Sequence, residues 1–275
     1  MCLKEDESFG KEEWRQAYFE SYSMIQDDAF TQRLKNIYKK FNITISGAKL
    51  PILYRLIQEQ YREYQIRDTL FSGMGLSNIY PHFPDEVFKE KIDKSIESRD
   101  SEEKVIEILQ TFAPNLNIHT QHLIRCIEND VLVKILLAWP YSEAAKLREQ
   151  VLRKYAENAA RKNLDISDQI IDNLETLQTI IETVGSTELL QIKLYDTVPS
   201  LAMYRAGSYL LAGVFLHGTL AINTFQLELD LNSLNNFVAD TLRQDFELMW
   251  NVARPFTPDP NQHWRSDLRI LFTKI

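Results

Sequence analysis

Hydrophobic positions recur with two different periodicities along this chain. Up to about residue 66, apolar and aromatic side chains recur at three- and four-residue steps, over residues 12–41 and again from about Leu50 to Gln65. That spacing places them on one side of a helix, and it predicts an N-terminal helical segment over residues 1–66. Over residues 67–275, short apolar runs alternate with helical patterns. This alternation predicts an α/β ligand-binding domain.

The clearest strand pattern is the nearly continuous apolar run over residues 130–138, which is typical of a strand buried on both faces. Five further segments have β-branched or alternating patterns and are predicted as strands: 104–112, 189–195, 201–204, 209–216 and 224–229. Between two of them, Ala206, Gly207 and Ser208 predict the turn of a β-hairpin.

Helices are predicted between the strands from the residues that begin and end them. A short helix is expected around residues 119–129, Ser142 is a predicted N-cap, and Gly185 is a predicted C-terminal stop. Asn232 or Ser233 is expected to cap a final long helix, and the proline-containing tail after it is expected to be irregular. This order of elements predicts a mixed β-sheet flanked by helices, with an N-terminal helical extension.

Composition limits the classes of function. The chain has 275 residues, of which 44% are hydrophobic and 25% charged, and this is enough apolar material for a folded core. The net charge of −8 argues against direct, sequence-independent binding to nucleic acid, which needs a basic surface. A local basic pocket for a small anion remains compatible with it.

The cysteines and the terminus indicate the compartment. Cys2 and Cys126 lie far apart in sequence and are expected to be reduced thiols. The first residues are too acidic for a signal peptide, and no run reaches the roughly 18 apolar residues of a membrane span. We therefore expect a cytoplasmic protein that does not contact a membrane.

Motifs for catalysis are missing from the sequence. There is no phosphate-binding loop and no hydrolase elbow, and Ser72–Gly75 is typical of a tight turn. On a helix, His119, His122 and Cys126 would share one face, as in a metal site or in buried packing. Since a fourth ligand is not evident, we predict no metal. Since the catalytic motifs are missing, we predict no cofactor and no enzymatic activity.

The segments Val131–Pro140 and Leu189–Tyr195, with the hairpin that follows, resemble one repeat of the phospholipase D-like fold. The likeness covers roughly residues 69–250. That family's catalytic motif is a histidine and a lysine on the first hairpin strand, with an aspartate beyond. The matching stretch here, Pro199–Ser208, has neither histidine nor lysine. The resemblance therefore implies a degenerate scaffold without the catalytic nucleophile.

Three other segments resemble a cyanobacterial family of cyclic-di-GMP receptors linked to cell-size control: Leu70–Tyr80, Leu137–Arg148 and Tyr204–Tyr209. This resemblance implies a non-enzymatic receptor that binds the second messenger. It also implies that binding alters contact with a transcription regulator.

The expected binding site follows from the fold class. Ligands of α/β folds bind at the carboxyl ends of the strands, where guanidinium groups hold phosphate or guanine and flat side chains stack on bases. The candidate ligand-binding residues are Arg62, Arg67, Asp68, Phe112, Asn115, Trp139, Tyr141, Arg148, Tyr204 and Arg205. Among the arginines, Arg205 is expected to be central because it lies beside the hairpin turn.

Other interpretations of these residues stay open. Trp139 and Tyr141 are equally typical of a rigid strand exit packed under a neighbouring helix. Arg148 has the ordinary alternative of a surface ion pair. The alternative function is an interaction module without a ligand, in which the N-terminal helices form a homodimer or a docking surface. A phosphodiesterase with an unfamiliar site is a third reading.

Overall fold

The computed structural model describes residues 75–155, 163–186, 188–233 and 236–272. All of them belong to a unit assigned to Phe71–Ile275. The predicted helical segment over 1–66, and the boundary predicted after it, lie outside the described residues.

In this part of the chain one mixed sheet contains eight strands in the order β1-β7-β6-β5-β2-β3-β4-β8. The strands are β1 (Leu76–Tyr80), β2 (Val105–Gln110), β3 (Leu132–Ala138), β4 (Leu190–Tyr195), β5 (Leu201–Ala206), β6 (Tyr209–Val214), β7 (Gln226–Asp230) and β8 (Arg254–Pro255). The predicted fold class, a mixed sheet flanked by helices, is confirmed.

Strand direction decides which residues share an edge of the sheet. β2, β3 and β4 are parallel, so their carboxyl ends lie together. β5 runs antiparallel to β2, and the pairs β5–β6, β6–β7, β7–β1 and β4–β8 are antiparallel as well. The edge that contains the carboxyl ends of β2, β3 and β4 therefore contains the amino end of β5. We call it the carboxyl edge.

The helices are α1 (Asp85–Glu97), α2 (Leu116–Glu128), α3 (Glu143–Lys154), α4 (Ile166–Val184), α5 (Phe237–Val252) and α6 (Trp264–Ile270), with a 3₁₀ turn at Ala221–Asn223. α2 packs against both α1 and α4, and α3 packs against α4. The ring of Tyr204 on β5 packs against Phe88 of α1. The next residue, Arg205, forms an ion pair with Glu107. Lys134 contacts both Glu107 and Glu247 of α5, so it connects this ion pair to α5. Since successive strand side chains point to opposite faces, α1 and α5 cover opposite faces of the sheet.

Several local predictions are confirmed by capping geometry. The Ser142 Oγ accepts a hydrogen bond from the Ala145 amide at 3.0 Å, at the start of α3. Gly185 ends α4 with φ of 67°, in the left-handed region that glycine adopts without a steric cost. The hairpin turn lies at Gly207 and Ser208, between β5 and β6.

Two predictions near the carboxyl terminus are wrong. The last long helix, α5, begins at Phe237 after Asn236, not after Asn232 or Ser233. The tail is not irregular throughout, because it forms β8 and α6. β8 pairs with β4, and α6 buries Trp264 and Leu268 in the core, so tertiary packing orders residues whose local pattern is weak. None of the helices in the described ranges is long and apolar enough to cross a bilayer.

Candidate functional site

A cleft opens at the carboxyl edge of the sheet. Three of its lining residues, Thr111, Ala138 and Tyr195, lie at or just after the ends of β2, β3 and β4. Its volume is about 160 Å³. An apolar cavity of about 150 Å³ holds benzene, so the cleft is the size of one ring.

One side of α3 forms a wall of the cleft. Ala144, Leu147, Arg148 and Val151 line it, at the three- and four-residue steps that place side chains on one face of a helix. The Ser142 cap fixes where α3 begins, and this decides which face of the helix meets the strand ends.

Arg148 is the cation of the cleft, and backbone carbonyls orient it. Its Nη1 donates to the Leu216 carbonyl and its Nη2 to the Thr219 carbonyl, each at 2.8 Å. The guanidinium lies 5.0 Å from the centre of the Phe215 ring, within the range of a cation–π contact. These contacts hold the guanidinium in a defined plane against the loop between β6 and β7.

The charge of Arg148 is not neutralised within the described residues, where no carboxylate forms an ion pair with it. Burial lowers the pKa of the Arg148 guanidinium to about 10, and the nearby Tyr195 offsets this slightly. The side chain therefore stays protonated at neutral pH. A partly buried cation with only carbonyl acceptors favours an anion or another strong acceptor beside it.

The rest of the cleft is mainly apolar. Val198 and Pro199 form one side, and the loop after β6 contributes Phe215 and the exposed His217. Leu147 and Val198 are 53% and 67% exposed at the rim, so apolar surface extends outward from the opening. Such a surface suits a ligand with flat or apolar parts.

Of the predicted site residues that the structure describes, Arg148 is the one that lines this cleft. Phe112, Asn115 and Tyr204 are interior residues, each at most 4% exposed. The Tyr204 hydroxyl donates to the Asn115 Oδ1 at 2.7 Å, and the Asn115 Nδ2 donates to the Asp85 Oδ1 at 3.1 Å. Tyr204 and Asn115 thus bind each other and Asp85 of α1, and Phe112 lies in the hydrophobic core, so we correct the expected position of these three predicted residues facing a ligand.

Trp139 and Tyr141 lie at the carboxyl edge but are covered by the tail. The Trp139 Nε1 donates to the Leu268 carbonyl of α6 at 2.7 Å. The Trp139 ring packs edge-on against Tyr141 and lies 5.1 Å from the Phe272 ring. This is the strand exit packed under a neighbouring helix, the alternative that the sequence left open.

The expected position of Arg205 is wrong. β5 runs antiparallel to β2, so Arg205 lies opposite Glu107, at the other edge of the sheet from the cleft. Its Nη1 pairs with the Glu107 Oε2 at 3.0 Å, and its Nε donates to the Gly207 carbonyl. The hairpin turn was visible in the sequence, but which edge it occupies depends on the direction of β5 within the sheet.

Arg62, Arg67 and Asp68 lie outside the described residues, so their assignment to the site stays a prediction. Thr111, Phe215 and His217 line the cleft but were not predicted as site residues. For the α3 wall a signal existed, since Ala144, Leu147, Arg148 and Val151 recur at helical steps after a capping serine. For Phe215 and His217 the sequence had no comparable signal, because they lie in an irregular loop.

The polar cluster of Tyr204, Asn115 and Asp85 also includes His119 of α2, whose Nε2 lies 3.3 Å from the Asn115 Nδ2. The His119 Nε2 is 3.0 Å from the Asp85 Oδ1, and the His119 Nδ1 is buried without a hydrogen-bond partner. Cys126 is buried as well, and burial raises the pKa of its thiol to about 12. No group of three or more metal-ligating side chains occurs within the described ranges. His119 and Cys126 are both fully buried in the core under α1 and α2.

His119 is expected to make folding stability depend on pH. Burial lowers the pKa of its imidazole, and Asp85 only partly offsets this. His119 therefore binds a proton more readily in the unfolded chain than in the folded one. The free energy of unfolding should fall as the pH drops below about 6.5, the pKa of histidine in an unfolded chain. Urea unfolding measured at pH 7.5 and at pH 5.5 should show that the free energy of unfolding falls more for the native protein than for His119→Gln. The exposed His263→Gln variant should keep the native loss, and equal losses in all three proteins would contradict this role.

Known proteins give no close match to this chain. No protein-family model and no curated protein matches this sequence. Among solved structures, the chain is similar to TrmBL2, an archaeal chromatin protein whose structure shows a novel mode of DNA binding. The identity is 15% and the TM-score 0.34, over 92% of this chain and 96% of that one. A similarity this distant carries no argument about function, which has to be inferred from the residues of the chain itself.

Proposed function

We propose that this protein is a non-enzymatic receptor that binds a cyclic dinucleotide, cyclic-di-GMP, in the cleft beside α3. The observation that carries the proposal is Arg148, a partly buried cation at the carboxyl edge whose acceptors among the described residues are two carbonyls and not a carboxylate. A ligand with phosphates and acceptor-rich bases supplies what this cation lacks. The resemblance of three sequence segments to cyclic-di-GMP receptors supports the same ligand.

Binding without turnover is proposed because of the sequence of the hairpin region. Pro199–Ser208, which corresponds to the catalytic stretch of the phospholipase D-like fold, has no histidine and no lysine. A phospho-enzyme intermediate of that family's kind therefore has no nucleophile here. The receptor is proposed to act in the cytoplasm and to pass the signal through contact with a protein partner, a transcription regulator.

The proposal is tested by titration calorimetry of the full chain with cyclic-di-GMP. Arg148→Ala is expected to weaken binding by roughly 5- to 150-fold, the range for losing one good bidentate contact. Arg125→Ala is the matched control, because Arg125 is an exposed arginine of α2 that pairs with Asp93 of α1 and does not line the cleft. Unchanged affinity in Arg148→Ala, or equal losses in both variants, would exclude the cleft as the site.

A second candidate function is an interaction module without a small ligand. It is favoured by three exposed apolar side chains on α5: Phe237 at its start, and Leu248 and Val252 one turn apart near its end, which are 62%, 67% and 74% exposed. Exposed apolar side chains that adjoin one another, as Leu248 and Val252 do, can form part of a surface for protein contact. The same titration separates the two candidates, because an interaction module binds no cyclic dinucleotide at any concentration tested.

A further inference from the structure

We infer that the cleft receives a guanine base of the ligand and not a phosphate, with Arg148 donating to the O6 and N7 atoms of that base. This inference rests on the proposed function and goes beyond it, because it names the part of the ligand that enters and the residue that selects it. It is supported by three features: the size of the cleft, the apolar walls and the fixed plane of the guanidinium.

Size is the first argument. At about 160 Å³ the cleft admits one flat ring and not a whole dinucleotide. In a cyclic dinucleotide each phosphate lies within the macrocycle between two sugars, so a phosphate enters a pocket only together with those sugars. Each base, in contrast, projects from the macrocycle on a single bond. A base is therefore the part of the ligand that can enter a ring-sized cleft alone.

The walls are the second argument. A buried phosphate needs several hydrogen-bond donors to replace its water, and losing that water without them is costly. Apart from Arg148, most side chains that line the cleft are apolar, including Leu147, Val151, Val198 and Phe215. The polar ones are Thr111, Thr197, His217 and Tyr195, and the Tyr195 hydroxyl already donates to the Gln110 carbonyl. Apolar and aromatic walls match the two faces of a purine, whose polar atoms lie only at its edge. The cleft thus suits a neutral flat group with one polar edge.

The orientation of Arg148 is the third argument. The Leu216 and Thr219 carbonyls accept from its two Nη atoms, and the Phe215 ring lies against its plane. The guanidinium keeps further N–H donors in the same plane, in the fork geometry that matches two adjacent acceptors. Guanine presents O6 and N7 as such a pair, whereas adenine presents an amino donor beside N7. Arg148 is therefore expected to select guanine over adenine.

The test measures which part of the ligand the native protein recognises. Guanosine, which has no phosphate, is expected to compete with labelled cyclic-di-GMP, whereas adenosine and inorganic phosphate are not. Cyclic-di-AMP is expected to bind the native protein roughly 5- to 150-fold more weakly than cyclic-di-GMP, the range for one wrong base. In Arg148→Ala, the two cyclic dinucleotides are expected to bind with similar, weak affinity.

The outcomes separate the inference from the proposed function. If cyclic-di-GMP binds in an Arg148-dependent way but phosphate competes and guanosine does not, the base assignment is overturned and the receptor function stands. If the native protein binds no cyclic dinucleotide, the receptor function fails; guanosine binding would then still support the base assignment, and its absence would overturn that as well. Competition by the nucleosides uses the native chain, so it decides the matter even if Arg148→Ala does not fold.

Discussion

Arg205→Met is expected to destabilise the domain by about 3 kcal/mol and to leave ligand affinity unchanged. Glu107 is only 1% exposed, and it is held between Arg205 at 3.0 Å and Lys134 at 3.1 Å. Removing Arg205 leaves a buried carboxylate with one cation in place of two, and breaking such a buried pair is costly. Urea unfolding measures the loss of stability, and titration calorimetry measures the affinity.

Two further variants of this cluster make the expectation specific. Combining Arg205→Met with Glu107→Met removes the buried carboxylate that Arg205→Met leaves with one cation. The double variant should therefore lose less free energy of unfolding than the two single variants lose in sum. Lys134 keeps a partner in that variant, because its Nζ also contacts the Glu247 of α5. Arg125→Met, at an exposed ion pair, should cost less than about 1 kcal/mol. A loss of ligand affinity in Arg205→Met with an intact fold would return Arg205 to the binding site.

Asn173→Leu is expected to cost about 2 kcal/mol, because the buried Ala113 amide loses its hydrogen-bond partner, whereas the Ala113 carbonyl still accepts from the Leu116 amide at 3.2 Å. The Asn173 side chain, in the middle of α4, accepts from the Ala113 amide at 2.7 Å and donates to the Ala113 carbonyl at 3.0 Å. Ala113 lies in the loop after β2, which also contains Thr111 of the cleft. The substitution should therefore lower both the free energy of unfolding and the affinity for ligand.

The geometry of Asn173 suggests a second variant with a distinct result. In Asn173→Asp, one oxygen still accepts from the Ala113 amide, but the other faces the Ala113 carbonyl and donates nothing. This variant should be destabilised at pH 7 and should regain part of its stability as the pH falls and the carboxyl becomes protonated. Asn251→Leu is the control on an exposed helix position, where a change within about 0.5 kcal/mol is expected. A comparable loss at both asparagines would contradict the role of Asn173.

Local signals in the sequence predicted the elements whose ends are set locally. The serine cap of α3, the glycine stop of α4 and the continuous apolar run of β3 each depend on neighbouring residues, so a sequence pattern contains them. Residues 76–97, which form β1 and α1, were not singled out. The β1 strand has three consecutive exposed residues, so its pattern lacks the apolar alternation of a half-buried strand.

The site was only partly predictable for a different reason. The short connection between β3 and α3 predicted that Arg148, on α3, lies near the carboxyl edge. The position of Arg205 required the order and direction of the strands, which depend on pairings between distant segments such as β2 with β5. The burial of Trp139 required α6, which lies far along the chain. Local patterns contain no information about contacts at such distances.

The two outer strands of the sheet come from opposite ends of the described chain. β1 pairs with β7 across most of the sequence, and β8, beside β4, is made from residues close to the carboxyl terminus. During synthesis, the inner strands are therefore exposed before their last neighbours have left the ribosome. The sheet is complete only once β7 and β8 have been synthesised, and until then unpaired strand edges offer a route to aggregation.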